Sequence, residues 1–220
     1  GQTSSAAMRF AVHVFGRPCE MTAIQKLAKE NNLKIIEDSC EAIGAKINVK
    51  DVGVRKAGTF GDCAVFAFYP NKQMTTGEGG MIVTNDENIY KSCCSERNQG
   101  RGEGGGWLQH QGLGYNYRLS DINCALGISQ LKRIDELLAK RARVADFYKI
   151  HLANIEEIIL PAEEPDKLIS WFVYVIRLTD RFTRNDRDAI LEKLKQAGIG
   201  CSNYFTPIHL QPFYKKMFGY

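Results

Sequence analysis

Apolar residues recur at helical spacing in one part of the chain and form short continuous runs in others. Ile24, Leu27 and Ala28 are spaced as one face of a helix, and Thr22 is placed to cap it. The run Leu33–Glu37 follows directly and predicts a buried strand. A helix that leads into a buried strand is typical of layered α/β proteins.

The middle of the chain predicts strands, a shaped loop and a helix. Strands are expected at 64–68 and 81–84, with a loop over 69–80 in which a proline and several glycines exclude regular structure. A helix is expected over 87–97, and the glycine-rich stretch 98–114 reads as an exposed loop.

The second half predicts one long helix, a linker and a smaller unit. Apolar spacing indicates a helix from Ser120, its expected N-cap, to about His151. The following 155–170 stretch reads as a linker to a strand (171–178), a helix (185–197) and a strand (199–205). We therefore expect a leader over 1–10, part of a large domain over 11–151, and an incomplete small domain over 152–220.

Composition is that of an ordinary globular protein. The chain has 220 residues with 44% hydrophobic residues, and 29 Lys and Arg oppose 25 Asp and Glu, a net charge of +4. No apolar run approaches the roughly 18 residues of a membrane span. The basic segment with Lys132, Arg133, Lys140, Arg141 and Arg143 carries no interleaved aromatics, which favours a solvated or interface face over a nucleic-acid site.

The cysteines and histidines show no metal or disulfide pattern. The seven cysteines are scattered, odd in number and without a C-x-x-C pair, which indicates buried thiols in a reducing compartment. We therefore expect a cytoplasmic protein with no bound metal and no membrane or nucleic-acid partner.

Two residues are candidates for chemistry. Asp38 follows an apolar strand, where ligands bind in open α/β sheets, although a carboxylate there can also be a simple turn cap. Lys72 lies in the shaped loop, where an amine can form a Schiff base, or can be an incidental lysine in a hairpin. A lysine and an acid together are what pyridoxal 5'-phosphate requires.

Several blocks, in this order, extend the pattern over most of the chain. They are Glu37–Ala45, Phe66–Lys72, Thr76–Gly80, Gly114–Arg118, Ser170–Tyr174 and Thr206–Pro212. With these blocks the sequence resembles the DegT-type sugar aminotransferases, fold type I enzymes that use pyridoxal phosphate. The resemblance implies an α/β fold, here a partial large-domain sheet with helices and a partial α+β C-terminal small domain.

The resemblance also implies roles for individual residues. Lys72 would form the Schiff base, Asp38 would bind the pyridinium nitrogen, and Glu41 would lie near the ring hydroxyl. Asn116 would reach the cofactor phosphate of the neighbouring subunit in a homodimer with shared active sites, and His209 would lie near the substrate. The reaction implied is transfer of an amino group, from glutamate, to a nucleotide-linked ketosugar in amino-sugar and polysaccharide biosynthesis.

The sequence departs from the family pattern at one position and in its extent. Ala67 stands where the family usually has a phosphate-binding serine. The early phosphate-binding segment of the family is missing, and we expect a chain truncated at both ends. The alternative function is therefore that of a catalytically silent homologue acting as a structural or dimerising remnant.

Overall fold

The computed structural model describes residues 8–102, 109–204 and 206–219. Within these ranges, the leader expected through Phe10 is corrected, because Met8–Val12 forms a strand of the central sheet. The rest of that expected leader, residues 1–7, lies outside the described residues.

The described part of the first half of the chain contains six strands, with α1 between β1 and β2 and with α2 after β6. The strands are β1 (Met8–Val12), β2 (Lys34–Asp38), β3 (Lys46–Val49), β4 (Gly53–Lys56), β5 (Cys63–Ala67), β6 (Gly80–Thr84), β7 (Ile158–Ile159), β8 (Lys167–Leu168) and β9 (Arg177–Leu178). The α-helices are α1 (Met21–Glu30), α2 (Glu87–Glu96), α3 (Asp121–Leu131), α4 (Ile134–Leu152), α5 (Arg184–Gln196) and α6 (Pro212–Phe218).

The central sheet has the strand order β1-β2-β5-β6. β1, β2 and β5 are parallel, and β6 runs antiparallel to β5. The register places Val12, Asp38 and Val65 side by side. Asp38 therefore lies at the carboxyl edge of the parallel strands, where ligands bind in such sheets.

A small second sheet has the order β4-β3-β8 and was not predicted. β3 and β4 form a hairpin in which Asp51 of the connection has φ 63° and Gly53, the first residue of β4, has φ 91°. Ile47 of β3 joins the buried cluster formed by Ala11, Ile35 and other residues of the central sheet and α1. This cluster closes the sheet on the side of α1.

Two helix predictions differ from the structure. Thr22 is not the cap of α1, because the helix begins at Met21 and Glu20 precedes it without a side-chain cap. The single helix expected from Ser120 to His151 is two helices, α3 and α4, because Arg133 leaves the helical conformation at φ −107° and ψ 9°. Ser120 does cap α3, accepting a hydrogen bond from the Asn123 N–H.

The described chain forms two compact units. The first contains the chain up to Asn154 together with Leu160–Val175, and the second contains Ile155–Ile159 and the chain from Ile176 onward. The expected linker over 155–170 is therefore divided between the units, because Ser170 is hydrogen-bonded to Gly16 and Gln73 of the first one.

The second unit is built from β7 paired with β9, followed by α5 and α6. Thr183 and Asp186 form a capping box at the start of α5. Of the strand expected over 171–178, only Arg177–Leu178 is one, and residues 199–204 form no strand. Among the described helices, none has both the length and the apolar character needed to cross a membrane.

Candidate active site

Lys72 lies in the loop between β5 and β6, with its side chain largely covered. Only 14% of the side chain is exposed. Its Nζ atom lies 3.5 Å from Oε1 of Glu41 and 4.1 Å from the centroid of the Phe172 ring. The amine is therefore held between a carboxylate and the face of an aromatic ring.

The turn that follows β1 holds the Glu41 carboxylate. Its Oε2 atom accepts a hydrogen bond of 2.7 Å from the backbone N–H of Phe15, which has φ 59° within the 3-10 turn Val14–Gly16. The carboxylate therefore bridges the end of β1 and the Lys72 amine, and its orientation is fixed from the backbone side.

Asp38 ends β2 beside this pair. Its Oδ1 atom accepts a hydrogen bond of 3.1 Å from the Cys40 N–H. Burial raises the pKa of the Cys40 thiol to about 12; Asp38 and Glu41 raise it as well, while the charge of Lys72 opposes them. Cys40 therefore stays protonated, and its thiol is influenced by the charges of Asp38, Glu41 and Lys72.

Behind Asp38, Glu37 anchors the turn that leads into β5. This buried carboxylate accepts hydrogen bonds from the N–H groups of Gly58, Phe60 and Gly61 at 2.6 to 2.8 Å. It also lies 3.0 Å from Nε2 of His13. Because the Cys19 N–H donates to Nδ1 of His13, Nε2 carries the proton and donates to Glu37.

The hydrogen bonds of Glu37 outweigh its burial. Burial alone raises the pKa of this carboxyl group, but the bonds from His13, Gly61, Gly58 and Phe60 hold it below its usual range. Glu37 is therefore a buried anion satisfied by its neighbours, and it supports the strand end on which Asp38 lies.

A segment from much later in the chain, residues 170–172, covers the Lys72 loop. Gln73 is buried, and its Nε2 atom donates to the Glu41 carbonyl at 2.6 Å and to both oxygens of Ser170 at 2.9 and 3.0 Å. Arg141 of α4 donates to the carbonyls of Lys72 at 2.8 Å, Asn71 at 3.2 Å and Phe172 at 3.0 Å.

Sequence reasoning missed these supporting residues. Arg141 was placed on a solvated or interface face, whereas the structure shows it half-buried against backbone carbonyls. Burial lowers the pKa of its guanidinium. The signal that could have found the segment is the block Ser170–Tyr174, whose aromatic residues follow directly on a serine.

The other two predicted site residues, Asn116 and His209, lie on elements other than the Lys72 loop. Asn116 is exposed in the loop before α3, where its Oδ1 atom accepts hydrogen bonds from Nε and Nη2 of Arg118 at 3.2 and 3.0 Å. His209 belongs to the second unit and is exposed in the 3-10 turn Ile208–Leu210. Their roles remain predictions.

Comparison with known proteins identifies the family. The family model of the DegT/DnrJ/EryC1/StrS aminotransferases matches residues 3–220. The chain belongs to this family. The resemblance inferred from the sequence blocks is thereby confirmed.

Curated members of the family include enzymes named for nucleotide-linked sugars. GDP-perosamine synthase of Escherichia coli O157:H7 is 36% identical over 216 residues, which are 98% of this chain and 56% of that protein. A UDP-4-amino-4,6-dideoxy-N-acetyl-beta-L-altrosamine transaminase of Campylobacter jejuni (strain 81-176) is 35% identical over 93% of this chain and 53% of its own length. The chain spans about half the length of these relatives.

A solved member of the family shares the fold. Helicobacter pylori PseC, an aminotransferase of pseudoaminic acid biosynthesis, superposes with a TM-score of 0.85 at 29% identity. The match covers 96% of this chain and 56% of PseC. The α/β fold is thus that of the fold type I aminotransferases, as expected from the sequence.

Proposed function

We propose that this chain works as a pyridoxal-phosphate-dependent aminotransferase that moves an amino group from glutamate to a keto carbon of a nucleotide-linked sugar. Family membership and the names of the GDP- and UDP-sugar relatives support the reaction and the substrate class. The observation that carries the proposal is the covered Lys72 amine, held beside Glu41 at the sheet edge where Asp38 ends β2.

The residues at this edge fit the pyridine half of pyridoxal phosphate. That cofactor needs a lysine amine for its aldehyde and a carboxylate for its ring nitrogen. Asp38 accepts a hydrogen bond at Oδ1 from the Cys40 N–H, and the Cys40 thiol also interacts with its carboxylate. A carboxylate has about four lone-pair sites, so Asp38 keeps the capacity to accept from a protonated ring nitrogen, and when bound the cofactor supplies a sink for the electrons of a developing carbanion.

Lys72 is proposed as the group that holds the cofactor and moves protons. Its Nζ atom would take the proton from the α-carbon of the amino donor and later return one to the carbon that receives the amino group. Glu41 and the Phe172 ring stabilise the protonated amine during this exchange. The Phe15 N–H donates to the Glu41 carboxylate and fixes it, and this carboxylate would also lie beside the ring hydroxyl of the cofactor.

A homodimer with shared active sites is part of the proposal. The residues around Asn116 are apolar and exposed: Tyr115 and Tyr117 stack at 4.9 Å, and Ile122 of α3 is 82% exposed. A second copy of the chain covering this surface would bring Asn116 to the phosphate of the other active site. The Asn116 side chain suits that role. Its Oδ1 atom accepts hydrogen bonds from Arg118, so its amide N–H groups remain to donate.

A cytoplasmic location completes the proposal. The structure shows the seven cysteines as free thiols. Thiols in this number are typical of proteins kept in a reducing compartment.

The half-reaction with the amino donor tests the proposal. Protein loaded with pyridoxal phosphate is expected to release 2-oxoglutarate from L-glutamate in a stoichiometric burst, and to resume release when a nucleotide-linked ketosugar is added. Lys72→Arg, which keeps the positive charge, should show no burst. A folded, dimeric wild-type protein that releases none would instead establish the catalytically silent remnant.

A further inference from the structure

Arg141 of α4 is bonded to two segments that are far apart in the sequence. Its Nη2 atom donates to the carbonyls of Asn71 and Lys72, and its Nη1 atom donates to the carbonyl of Phe172. The acceptors are separated from Arg141 by 70, 69 and 31 residues. Among the described residues the guanidinium forms no ion pair, and backbone carbonyls satisfy it.

The two segments that Arg141 joins contain Lys72 and Phe172, whose side chains contact each other. Lys72 presents its Nζ atom 4.1 Å from the centroid of the Phe172 ring. Phe172 is buried, and its carbonyl is one of the acceptors. One guanidinium is therefore bonded to the backbone on both sides of the contact between the amine and the ring.

An arginine suits this task better than a lysine. Its guanidinium is planar, and its separate N–H groups diverge at fixed angles, so one head group can donate in two directions. An ammonium is a compact point charge on a flexible stem and imposes no such angle.

The segments do not depend on Arg141 alone for their attachment. Gln73 donates independently to Glu41 and Ser170, and Ser170 donates through its hydroxyl to the Ile43 carbonyl. Loss of Arg141 is therefore expected to loosen the placement of Lys72 and Phe172 while the chain stays folded.

We propose that Arg141 is a positioning residue, which holds the Lys72 amine over the Phe172 ring and so keeps it at the place where it meets the cofactor aldehyde. The catalytic consequence rests on the proposed function, whereas the positioning itself does not. A displacement of about 1 Å at a reacting group can cost on the order of 100-fold in rate.

Placement of the amine can be measured without cofactor. Reductive methylation with ¹³C-formaldehyde places two methyl groups on each lysine, and those on Lys72 should resonate upfield because of the Phe172 ring current. Lys72→Arg assigns the signal. Phe172→Leu should abolish the upfield displacement while keeping the backbone carbonyl that Arg141 binds.

The variants Arg141→Ala and Arg141→Lys should lose most of the upfield displacement. Arg143→Ala is the matched control, since Arg143 is exposed on the same helix and should leave the signal unchanged. In the Phe172→Leu background, Arg141→Lys should produce no further shift. Thermal unfolding and circular dichroism verify that each variant is folded.

A second measurement connects placement with reactivity. With pyridoxal phosphate present, the rate of imine formation at Lys72 in Arg141→Lys should fall about 10- to 100-fold, and in Arg143→Ala it should not change. In turnover, kcat should fall by a similar factor with little change in the KM of the donor.

The outcomes separate the two claims. An unchanged Lys72 signal in a folded Arg141 variant overturns the positioning role, and so does failure of both variants to fold, which would make Arg141 a structural residue. A lost signal together with no imine formation in the wild type would support the positioning role and reject the proposed function instead.

Discussion

At the scale of single residues, Gly16 shows how closely the site is packed. It has φ 81°, and a Cβ atom placed on it would overlap the carbonyl oxygen of Ser170 and come within 2.9 Å of the Glu41 carbonyl oxygen. Both neighbours are backbone atoms, which cannot swing aside as a side chain can. Any larger residue here therefore has to push the segment that carries Phe172 away from Glu41.

Gly16→Ala should lower the free energy of unfolding by about 3 kcal/mol, because it adds both backbone strain and a backbone clash. Gly53→Ala is the matched control: Gly53 also has positive φ, at 91°, but its Cβ would meet nothing within 4 Å. That variant should cost only about 1–2 kcal/mol. Equal losses in urea denaturation would show that the clash with Ser170 contributes nothing.

The stability of the fold depends on pH through the Glu37 carboxyl group. Its pKa in the folded chain is held below the value of about 4.3 expected for an unfolded glutamate. A depressed folded pKa means that the ionised form stabilises the fold above the unfolded value. This contribution is lost as the pH falls through the folded value.

Glu37→Gln should therefore lower the free energy of unfolding by about 2–3 kcal/mol at neutral pH, because three N–H donors and His13 lose their anion. The difference from wild type should shrink as the pH falls below about 4. Urea denaturation across this range measures it, with Glu87→Gln as a control on an exposed i,i+4 pair with Lys91. A difference that is constant with pH would contradict this account of Glu37.

At the scale of elements, the parts that sequence could predict are those with a local signal. The strands β2, β5 and β6 and the helix α2 follow from apolar runs and from the loop residues between them, and each appears within a residue or two of its predicted position. The α3–α4 break was missed because the apolar spacing continues across Arg133, although the backbone there is not helical.

The segment 171–176 was predicted as a strand because aromatic and β-branched residues favour strands. Its backbone is instead held by side chains, since the Ser170 carbonyl accepts from Gln73 and the Phe172 carbonyl from Arg141. Contacts between residues that are far apart in the chain produce no periodic pattern of apolar residues in the sequence. For the same reason the sequence directs attention to Asp38 and Lys72, and through the family resemblance to Glu41, whose roles stay predictions, but it does not indicate the residues that contact them.

At the scale of the whole molecule, the proposed dimer is open to a direct test. The face of α3 that includes Ile122 and Leu126 is exposed in the isolated chain. Apolar patches of this kind mark interaction surfaces more often than isolated exposed residues do.

Ile122→Glu should weaken self-association about tenfold or more in sedimentation equilibrium, because it places a charge within the apolar patch. Val52→Glu is the control, as Val52 is 67% exposed in the β3–β4 connection and lies outside this face. A wild-type protein that is monomeric at every concentration, or two variants that behave alike, would reject this interface.

The central claim is that the Lys72 amine is the attachment point of pyridoxal phosphate. Borohydride reduction of the protein with bound cofactor, followed by peptide mass spectrometry, locates the attached lysine directly. We expect the pyridoxyl mass on the peptide containing Lys72, and its loss in Lys72→Arg with the fold intact. Attachment at another lysine, or an equal yield in that variant, would contradict the assignment.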